Sequence, residues 1–293
     1  MIIPTLNAGP ELEKLLSALS DQTAPPDEIL VVDSASDDDT PRLAEKQAGV
    51  RVIPIRREDF DHGGTRDMAF RACQSPIVVM MTQDALPADD RCMENLLSPL
   101  EDERVAAVCA RQIARPEARM AEKIFREYRY PEKSEVWDRE DARRLGIRSY
   151  LLSDACSAYR RTAYEAVGGF EHPIATDEDM LIAADFLNAG YRLAYQADAR
   201  VWHSHRYTFR QEYQRNYRIG QFLARYGHRF GGLGETGEGV RMAGFVTKKL
   251  FQQGKAGEIA SFWFRCAAKF LGSRAGKRSA KQKECSRRIQ SKS

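Results

Sequence analysis

The chain has 293 residues, 43% hydrophobic and 30% charged, with a formal net charge of +3. This composition excludes a disordered low-complexity chain and supplies enough apolar material for a substantial core. No apolar run is long enough to span a bilayer, and Met1-Ile2-Ile3-Pro4-Thr5 has neither a basic leader nor a cleavage pattern, so no signal peptide is expected.

Met1–Pro4 reads as a strand stub and Thr5–Pro10 as a turn. Glu11–Leu19 follows as a helix, with Leu12, Leu15, Leu16 and Leu19 on one face. Glu28–Asp33 is a buried strand ending in an acid, Ser34–Asp39 a polar loop, and Thr40-Pro41 the start of a helix running towards Ala48. Val50–Ile55 is a third strand. Asp61–Gly64 is a loop before a short helix over Thr65–Cys73. Ile77–Met81 is a continuous apolar run that stops at Gln83 and Asp84, the pattern of a strand buried on both faces. This alternation argues for a doubly wound α/β sheet, and such sheets bind ligands beyond the carboxyl ends of their strands. Asp84 at such an end is a ligand for a metal ion or phosphate-bearing group, or else a turn cap before Pro87.

Arg91–Leu100 reads as a helix and Val105–Ala110 as a strand, with Arg115–Asp141 a partly helical insert over the site. Ser153–Tyr159 is a strand, Arg161–Val167 a helix closed by Gly168-Gly169, and Thr176–Ala189 a helix ended by Gly190. Arg192–Tyr195 and Arg200–His203 read as two short strands. Beyond Thr208 the pattern is helical to about Gly272, broken by Gly227–Gly239. The six cysteines (Cys73, Cys92, Cys109, Cys156, Cys266, Cys285) include no CxxC pair and suggest reduced thiols in a cytoplasmic protein.

The opening Ile2-Ile3-Pro4-Thr5-Leu6-Asn7, the segment Glu28–Thr40, Ser157–Arg161, Val167-Gly168-Gly169-Phe170 and Glu178-Asp179 together resemble the family 2 glycosyltransferases, inverting enzymes of the GT-A fold. Within that family, Asp61–Asp67, Thr82–Ala85, His203–Thr208 and Arg265–Gly272 are similar to bacterial rhamnosyltransferases of surface polysaccharide synthesis. The resemblance implies a Rossmann-like, mostly parallel sheet flanked by helices. It divides the chain into a catalytic domain over 1–206, with a nucleotide half to about 110, and a C-terminal helical extension over 207–271. It also implies a nucleotide-sugar donor, dTDP-rhamnose, a divalent cation (Mg²⁺ or Mn²⁺), and a saccharide acceptor that is lipid-linked.

Donor contacts are expected from Thr5, Asn7, Asp33, Arg66, Gln83, Asp84 and Glu178. Asp33 contacts base or ribose, or caps the Ser34–Asp39 turn. Arg66 follows Gly63-Gly64 at a helix start and suits phosphate oxygens, or else forms an ion pair with Asp61 or Asp67. Relatives often read Ala-Arg-Asn where this chain has Thr65-Arg66-Asp67, so the third position's role is open. Thr82-Gln83-Asp84 supplies one carboxylate where the family has Asp-x-Asp, so a cation there needs oxygen ligands from elsewhere, or water. The resemblance implies that a histidine at the later strand end approaches the metal or diphosphate, and His203, before His205, is the expected metal ligand with Asp84, or else a structural histidine. Asp179, at the start of an amphipathic helix, is expected to be the general base. The bland alternative is an acidic triplet, Asp177 to Asp179, that only favours the positive helix end.

The chain from Arg265 is rich in Lys and Arg with Glu284 its sole acid, and 272–293 reads as a disordered basic tail. Basic aromatic helices over Tyr207–Tyr226, Val246–Phe251 and Ile259–Phe270 suit peripheral contact with an anionic membrane at the inner face of the plasma membrane, or a helical cap on the core. Three other functions compete: another nucleotide sugar, a catalytically decayed binding module marked by the single Asp84, and nucleic-acid binding. The Glu178-Asp179 pair argues against decay, and the acid-rich sheet end argues against nucleic acid.

Overall fold

A computed structural model describes residues 1–231 and 235–290, apart from the side chains of 143, 235–236 and 283–290. The nucleotide half runs β1 (Ile2–Thr5), α1 (Gly9–Ser20), β2 (Ile29–Asp33), α2 (Thr40–Glu45), β3 (Val50–Pro54), α3 (His62–Ala72) and β4 (Ile77–Met81). A two-residue β5 (Leu86–Pro87), α4 (Cys92–Leu97) and β6 (Val105–Ile113) follow. Next come α5 (Met120–Arg129), β7 (Glu135–Trp137), α6 (Ala142–Leu145), β8 (Cys156–Arg160), α7 (Arg161–Ala166), α8 (Glu178–Asn188) and β9 (Arg192–Trp202). Three helices close the chain: α9 (Phe209–Tyr226), α10 (Glu235–Gln252) and α11 (Ala256–Gln290).

The strands form one sheet in the order β3-β2-β1-β4-β8-β6-β9-β5, with β7 paired to β9. β3, β2, β1 and β4 are mutually parallel, whereas β8 runs antiparallel to both β4 and β6, and β6 and β9 are parallel to each other. Two cores cover the faces. Leu12, Leu15, Leu16 and Leu19 of α1 pack with Ile3, Val31 and Met81 on one side. Phe70, Tyr159, Tyr164, Phe170 and Phe186 pack with Ile2, Leu30 and Val78 on the other. Each fully buried Leu or Phe contributes about 1.5–3 kcal/mol, so the leucine stripe read from the sequence anchors the nucleotide half.

Three expectations are corrected. Arg192–Tyr195 and Arg200–Trp202 belong to the single strand β9, and His203 lies just past its end. Its pairing with β6 jumps from Ala110↔Gln196 to Arg111↔Arg200, so Ala197–Ala199 bulge out of the ladder and mimic a break in the sequence. Gly63 and Gly64 lie inside α3, whose N-cap is Asp61: its Oδ1 accepts from Gly64 N at 2.7 Å. A Cβ on Gly63 would stand 2.0 Å from the Glu171 carbonyl oxygen, so glycine there serves close packing. Finally, the described part of the expected tail is helical: α11 runs through Gly272 to Gln290. Residues 291–293 of the expected tail, and 232–234 of the expected Gly-rich break, lie outside the described residues.

The continuation of α11 rests on small residues. A Cβ on Gly272 would meet the Tyr213 carbonyl oxygen at 2.3 Å and one on Gly276 the Tyr217 carbonyl oxygen at 1.9 Å. Across the seam, a Cβ on Gly220 of α9 would stand 2.1 Å from the Ser273 carbonyl oxygen. The two backbones touch, and no larger residue fits without separating them. Gly276→Leu is expected to destabilise the C-terminal helices by roughly 1–3 kcal/mol, the usual cost of overpacking, whereas Arg274→Leu on the open face is not. Thermal unfolding followed by circular dichroism checks this; equal melting of the two variants would refute the seam.

Candidate active site

The carboxyl ends of β1, β2 and β4 converge on one edge of the sheet. Thr5 Oγ1 donates to Asp33 Oδ1 at 3.0 Å, and Ser36 donates to the same carboxylate through its hydroxyl (2.6 Å) and backbone N–H (2.9 Å). The turn-capping role of Asp33 is therefore real, and Oδ2 keeps acceptor capacity beyond the Ser36 N–H. Asn7 sits at φ +51 and its Oδ1 accepts from Asp37 N at 2.8 Å, which locks the loops after β1 and β2 together. Gln83 is paired at both ends of its amide with the Leu6 backbone, at 2.8 and 3.1 Å, so it staples the β4 end to the β1 end.

Next to this edge lies a cleft of about 400 Å³ that gathers Arg66, Asp84, Asp154, Asp177, Glu178, Asp179, His203 and His205. Of the residues expected from sequence, Arg66, Asp84, Glu178, Asp179 and His203 line it together, while Thr5, Asn7, Asp33 and Gln83 lie outside its lining, at the neighbouring strand ends.

On one wall Asp84 Oδ2 faces His203 Nε2 at 3.4 Å and His205 Nδ1 at 3.3 Å. The ligand atoms of these three residues lie within 4.8 Å of one another. His203 Nδ1 stands 2.8 Å from Gln112 Oε1, an acceptor-only atom that calls for a proton on Nδ1 and holds the ring with Nε2 towards Asp84. Gln112 is itself held by Arg126, which donates to Oε1, and by Ser153 Oγ, which accepts from Nε2 at 2.6 Å. Burial and the adjacent His203 push His205 down to about 4, so its ring is neutral at physiological pH. Burial alone would raise Asp84, but its hydrogen bond to His203 and the electrostatic pull of the two imidazoles leave it below the usual carboxylate range. A carboxylate flanked by two imidazole nitrogens suits a divalent cation of borderline softness such as Mn²⁺. His203-Ser204-His205 at a strand end places residues i and i+2 on one side, so His205 joins the His203 preferred from the sequence.

On the other wall, Arg66 is buried and meets Glu178 Oε1 through Nη1 at 3.1 Å and Asp154 Oδ2 through Nε at 3.3 Å. It also donates to the His62 carbonyl at 3.1 Å. The expected ion pair therefore exists, but with Asp154 and Glu178 rather than Asp61 or Asp67. Asp61 instead bridges to Ile174 N at 2.6 Å, and Asp67 accepts from Tyr164 Oη at 2.9 Å and pairs with Arg71 at 2.6 Å. Burial works against the Arg66 charge, yet Glu178 and Asp154 outweigh it and raise its pKa. Asp154, unforeseen in the sequence, accepts from Ser157 Oγ and Tyr159 Oη, both at 2.6 Å, and burial raises its pKa against the pull of Arg66.

Asp179 opens α8 and remains partly exposed. Its Oδ1 accepts from Met180 N at 2.8 Å. Burial, then the adjacent Glu178 and Asp154 carboxylates, raise its proton affinity well above that of an ordinary aspartate. Asp177, at φ +60, is pushed up to about 6 by burial. Arg215 and Arg218 of α9, expected among membrane-facing bases, line this cleft instead. A carboxylate of raised proton affinity, a carboxylate–imidazole cluster suited to a cation, and two arginines line one cleft, an arrangement that can accept a proton while an anionic leaving group is neutralised.

Asp84→Asn is expected to abolish calorimetrically detectable Mn²⁺ binding. Gln112→Leu, which removes only the support of His203, is expected to weaken it about 10–100-fold. Wild-type affinity in both Asp84→Asn and His205→Ala would overturn the cation site.

Residues 1–168 match the family model described as Glycosyl transferase family 2. The chain is 38% identical over 286 residues to the O-antigen chain rhamnosyltransferase RfbN of Salmonella typhimurium, covering 94% of this chain and 88% of that protein. It is 37% identical over 287 residues to the O-antigen chain rhamnosyltransferase WbaN of Salmonella anatum, with the same coverage of 94% and 88%. Among solved structures, the mannosyltransferase PcManGT from Pyrobaculum calidifontis in complex with GDP-Man and Mn²⁺ superposes with a TM-score of 0.66 at 20% identity, over 94% of this chain and 85% of that one. S. aureus TarS 1-349 in complex with UDP superposes with a TM-score of 0.57 at 16% identity, over 96% and 90% of the two chains. The chain belongs to glycosyl transferase family 2 and is an inverting glycosyltransferase of the GT-A fold.

Proposed function

We propose that the enzyme transfers L-rhamnose from dTDP-rhamnose to a lipid-linked saccharide in surface polysaccharide synthesis, on the cytoplasmic side where nucleotide sugars are available. Similarity to two O-antigen rhamnosyltransferases over 94% of the chain supports the sugar and the pathway class. The observation that carries the chemistry is a single cleft lined by Asp179 together with Asp84, His203 and His205.

The donor nucleotide lies along the strand ends, where Asn7 and the free acceptor capacity of Asp33 meet base and ribose. Thr5 and Gln83 hold those groups in place through Asp33 and Leu6. Asp84, His203 and His205 would hold a divalent cation, which would neutralise charge on the donor diphosphate. Arg215 and Arg218 add positive charge to the same cleft. Asp179 takes the proton of the acceptor hydroxyl as its oxygen bonds to the anomeric carbon. The bond from that carbon to the diphosphate breaks on the opposite face, its electron pair leaves with dTDP, and the configuration inverts. Arg66 and Glu178 act as positioning residues: their ion pair fixes the start of α8 and hence the Asp179 carboxylate.

The expected outcome for Asp179→Asn is loss of transfer by roughly 10²–10⁴-fold, the usual contribution of a general base, with dTDP binding retained by calorimetry. Normal turnover would remove Asp179 from the role. Donor hydrolysis across a panel of sugar nucleotides tests the sugar, and preference for a donor other than dTDP-rhamnose would refute it.

A pH profile tests the raised proton affinity of Asp179. The base must be deprotonated, so kcat/KM is present above its pKa and lost as pH falls through it. Because that pKa is raised, the acid limb should lie above the ordinary aspartate range. Glu178→Gln removes a negative neighbour, lowers the pKa of Asp179 and should move the limb to lower pH by on the order of one unit. An unmoved limb would assign it to another group.

A further inference from the structure

The outer face of α11 has an unusual order. The exposed positions of this helix recur at three- and four-residue spacing, which places them in one stripe along its length. For the first three turns the stripe is apolar: Trp263, Phe264, Phe270 and Leu271 are 49%, 68%, 58% and 56% exposed, with exposed Ala260 and Ala267 between them. The next turns of the same stripe carry Arg274, Lys277, Arg278 and Lys281, all exposed. From Ile259 to Gln282 the helix contains no acid.

The opposite face is fully engaged. Gly272 and Gly276 touch the backbone of α9, and Phe262 packs with Ile124, Val246 and Leu250. The fold therefore does not need the aromatic stripe, and four large apolar side chains in water cost stability that nothing inside the chain recovers.

We propose that this stripe docks the enzyme on an anionic lipid bilayer, with the aromatic turns seated among the headgroups and upper acyl chains and the basic turns against lipid phosphates. Charge complementarity identifies the occupant. A cationic run without acids fits an anionic surface, and the Trp and Phe row beside it fits the boundary between headgroups and hydrocarbon. Nucleic acid would use the cations and leave the aliphatic Leu271 and the alanines unpartnered. A second copy of this chain would bring another acid-free cationic run against the first.

The placement also serves the reaction. The inner face of α11 contributes Phe262, Arg265, Cys266 and Lys269 to a second cleft of about 370 Å³, and that cleft shares His205 and Tyr207 with the catalytic one. One helix diameter, about 10–12 Å, separates the docked stripe from the cleft. A lipid-linked acceptor held in the bilayer would thus meet the site without leaving the surface. The purpose of docking rests on the proposed acceptor; the docking itself does not.

The test is flotation of the full chain with vesicles of phosphatidylglycerol and phosphatidylethanolamine, and with vesicles of phosphatidylcholine alone. The enzyme is expected to float with the anionic vesicles, to release at high salt, and to stay behind with phosphatidylcholine. Trp263→Glu with Phe264→Glu, and separately Arg274→Glu with Lys277→Glu, should each lower vesicle partition at least about tenfold. Both variants should keep the wild-type melting curve and hydrolyse donor in solution at the wild-type rate. Wild-type partition in both variants, or equal binding to both vesicle types, would overturn the proposal. So would conversion of a dimer to a monomer by the same substitutions without change in vesicle binding, since the stripe would then belong to a second copy. Loss of donor hydrolysis in the wild type would instead refute the transferase reading and leave the vesicle result standing.

Discussion

The catalytic wall depends on one buried guanidinium. Arg66 comes from α3, Asp154 from the segment before β8, and Glu178 from the first turn of α8, so a single side chain joins three elements distant in sequence. Removing one partner of such a buried pair costs about 3–5 kcal/mol because the other charge is stranded. The cluster is also unbalanced. Three carboxylates, Asp154, Glu178 and Asp179, gather around one arginine; burial first, and then the neighbouring carboxylates, raise the proton affinity of Asp179 against the pull of Arg66. The anchor of the wall thus also holds the carboxylates that tune the proposed base. An aspartate raised in this way is a stronger proton acceptor near neutral pH than a free one.

The cation wall depends on a different chain of contacts. His203 is oriented by Gln112, Gln112 by Arg126 and Ser153, and Arg126 belongs to α5. The same helix packs Ile124 against Val246 and Leu250 of α10 and Phe262 of α11. The C-terminal helices therefore bear on the histidine through α5, while α9 brings Arg215 and Arg218 into the cleft directly. The extension beyond residue 206 is a working part of the site as well as a cap over it.

Much of this was legible in the sequence where the physics is local. The leucine stripe of α1 and the apolar runs of β2 and β4 follow from periodicity and burial, and the acids at their ends mark the binding edge. What stayed hidden was long-range or masked by composition. Arg66 and Asp154 are 88 positions apart, and nothing local signals that they meet. Ala197–Ala199 looked like a gap between strands because Asp198 interrupts the apolar pattern, although Ala197 and Ala199 are buried. Gly63-Gly64 looked like a loop because glycine usually punctuates, whereas here its missing Cβ admits the Glu171 carbonyl into the helix surface. The basic tail looked disordered by charge, yet Gly272 and Gly276 give it a backbone seam with α9 that composition does not reveal.

The departure from two carboxylates to one at the cation wall has an electrostatic meaning. Two carboxylates would cancel the charge of a divalent cation. Asp84 alone would cancel half of it, so a cation held with His203 and His205 would keep one positive unit for an anionic leaving group. Around Arg66 the balance is reversed: Asp154, Glu178 and Asp179 outnumber the buried guanidinium, and burial with those neighbours raises the proton affinity of Asp179. Under the proposed mechanism the cleft would thus carry its negative excess beside the group that takes the acceptor's proton and its positive excess beside the group that leaves, and two imidazoles in place of a second acid would make that asymmetry possible.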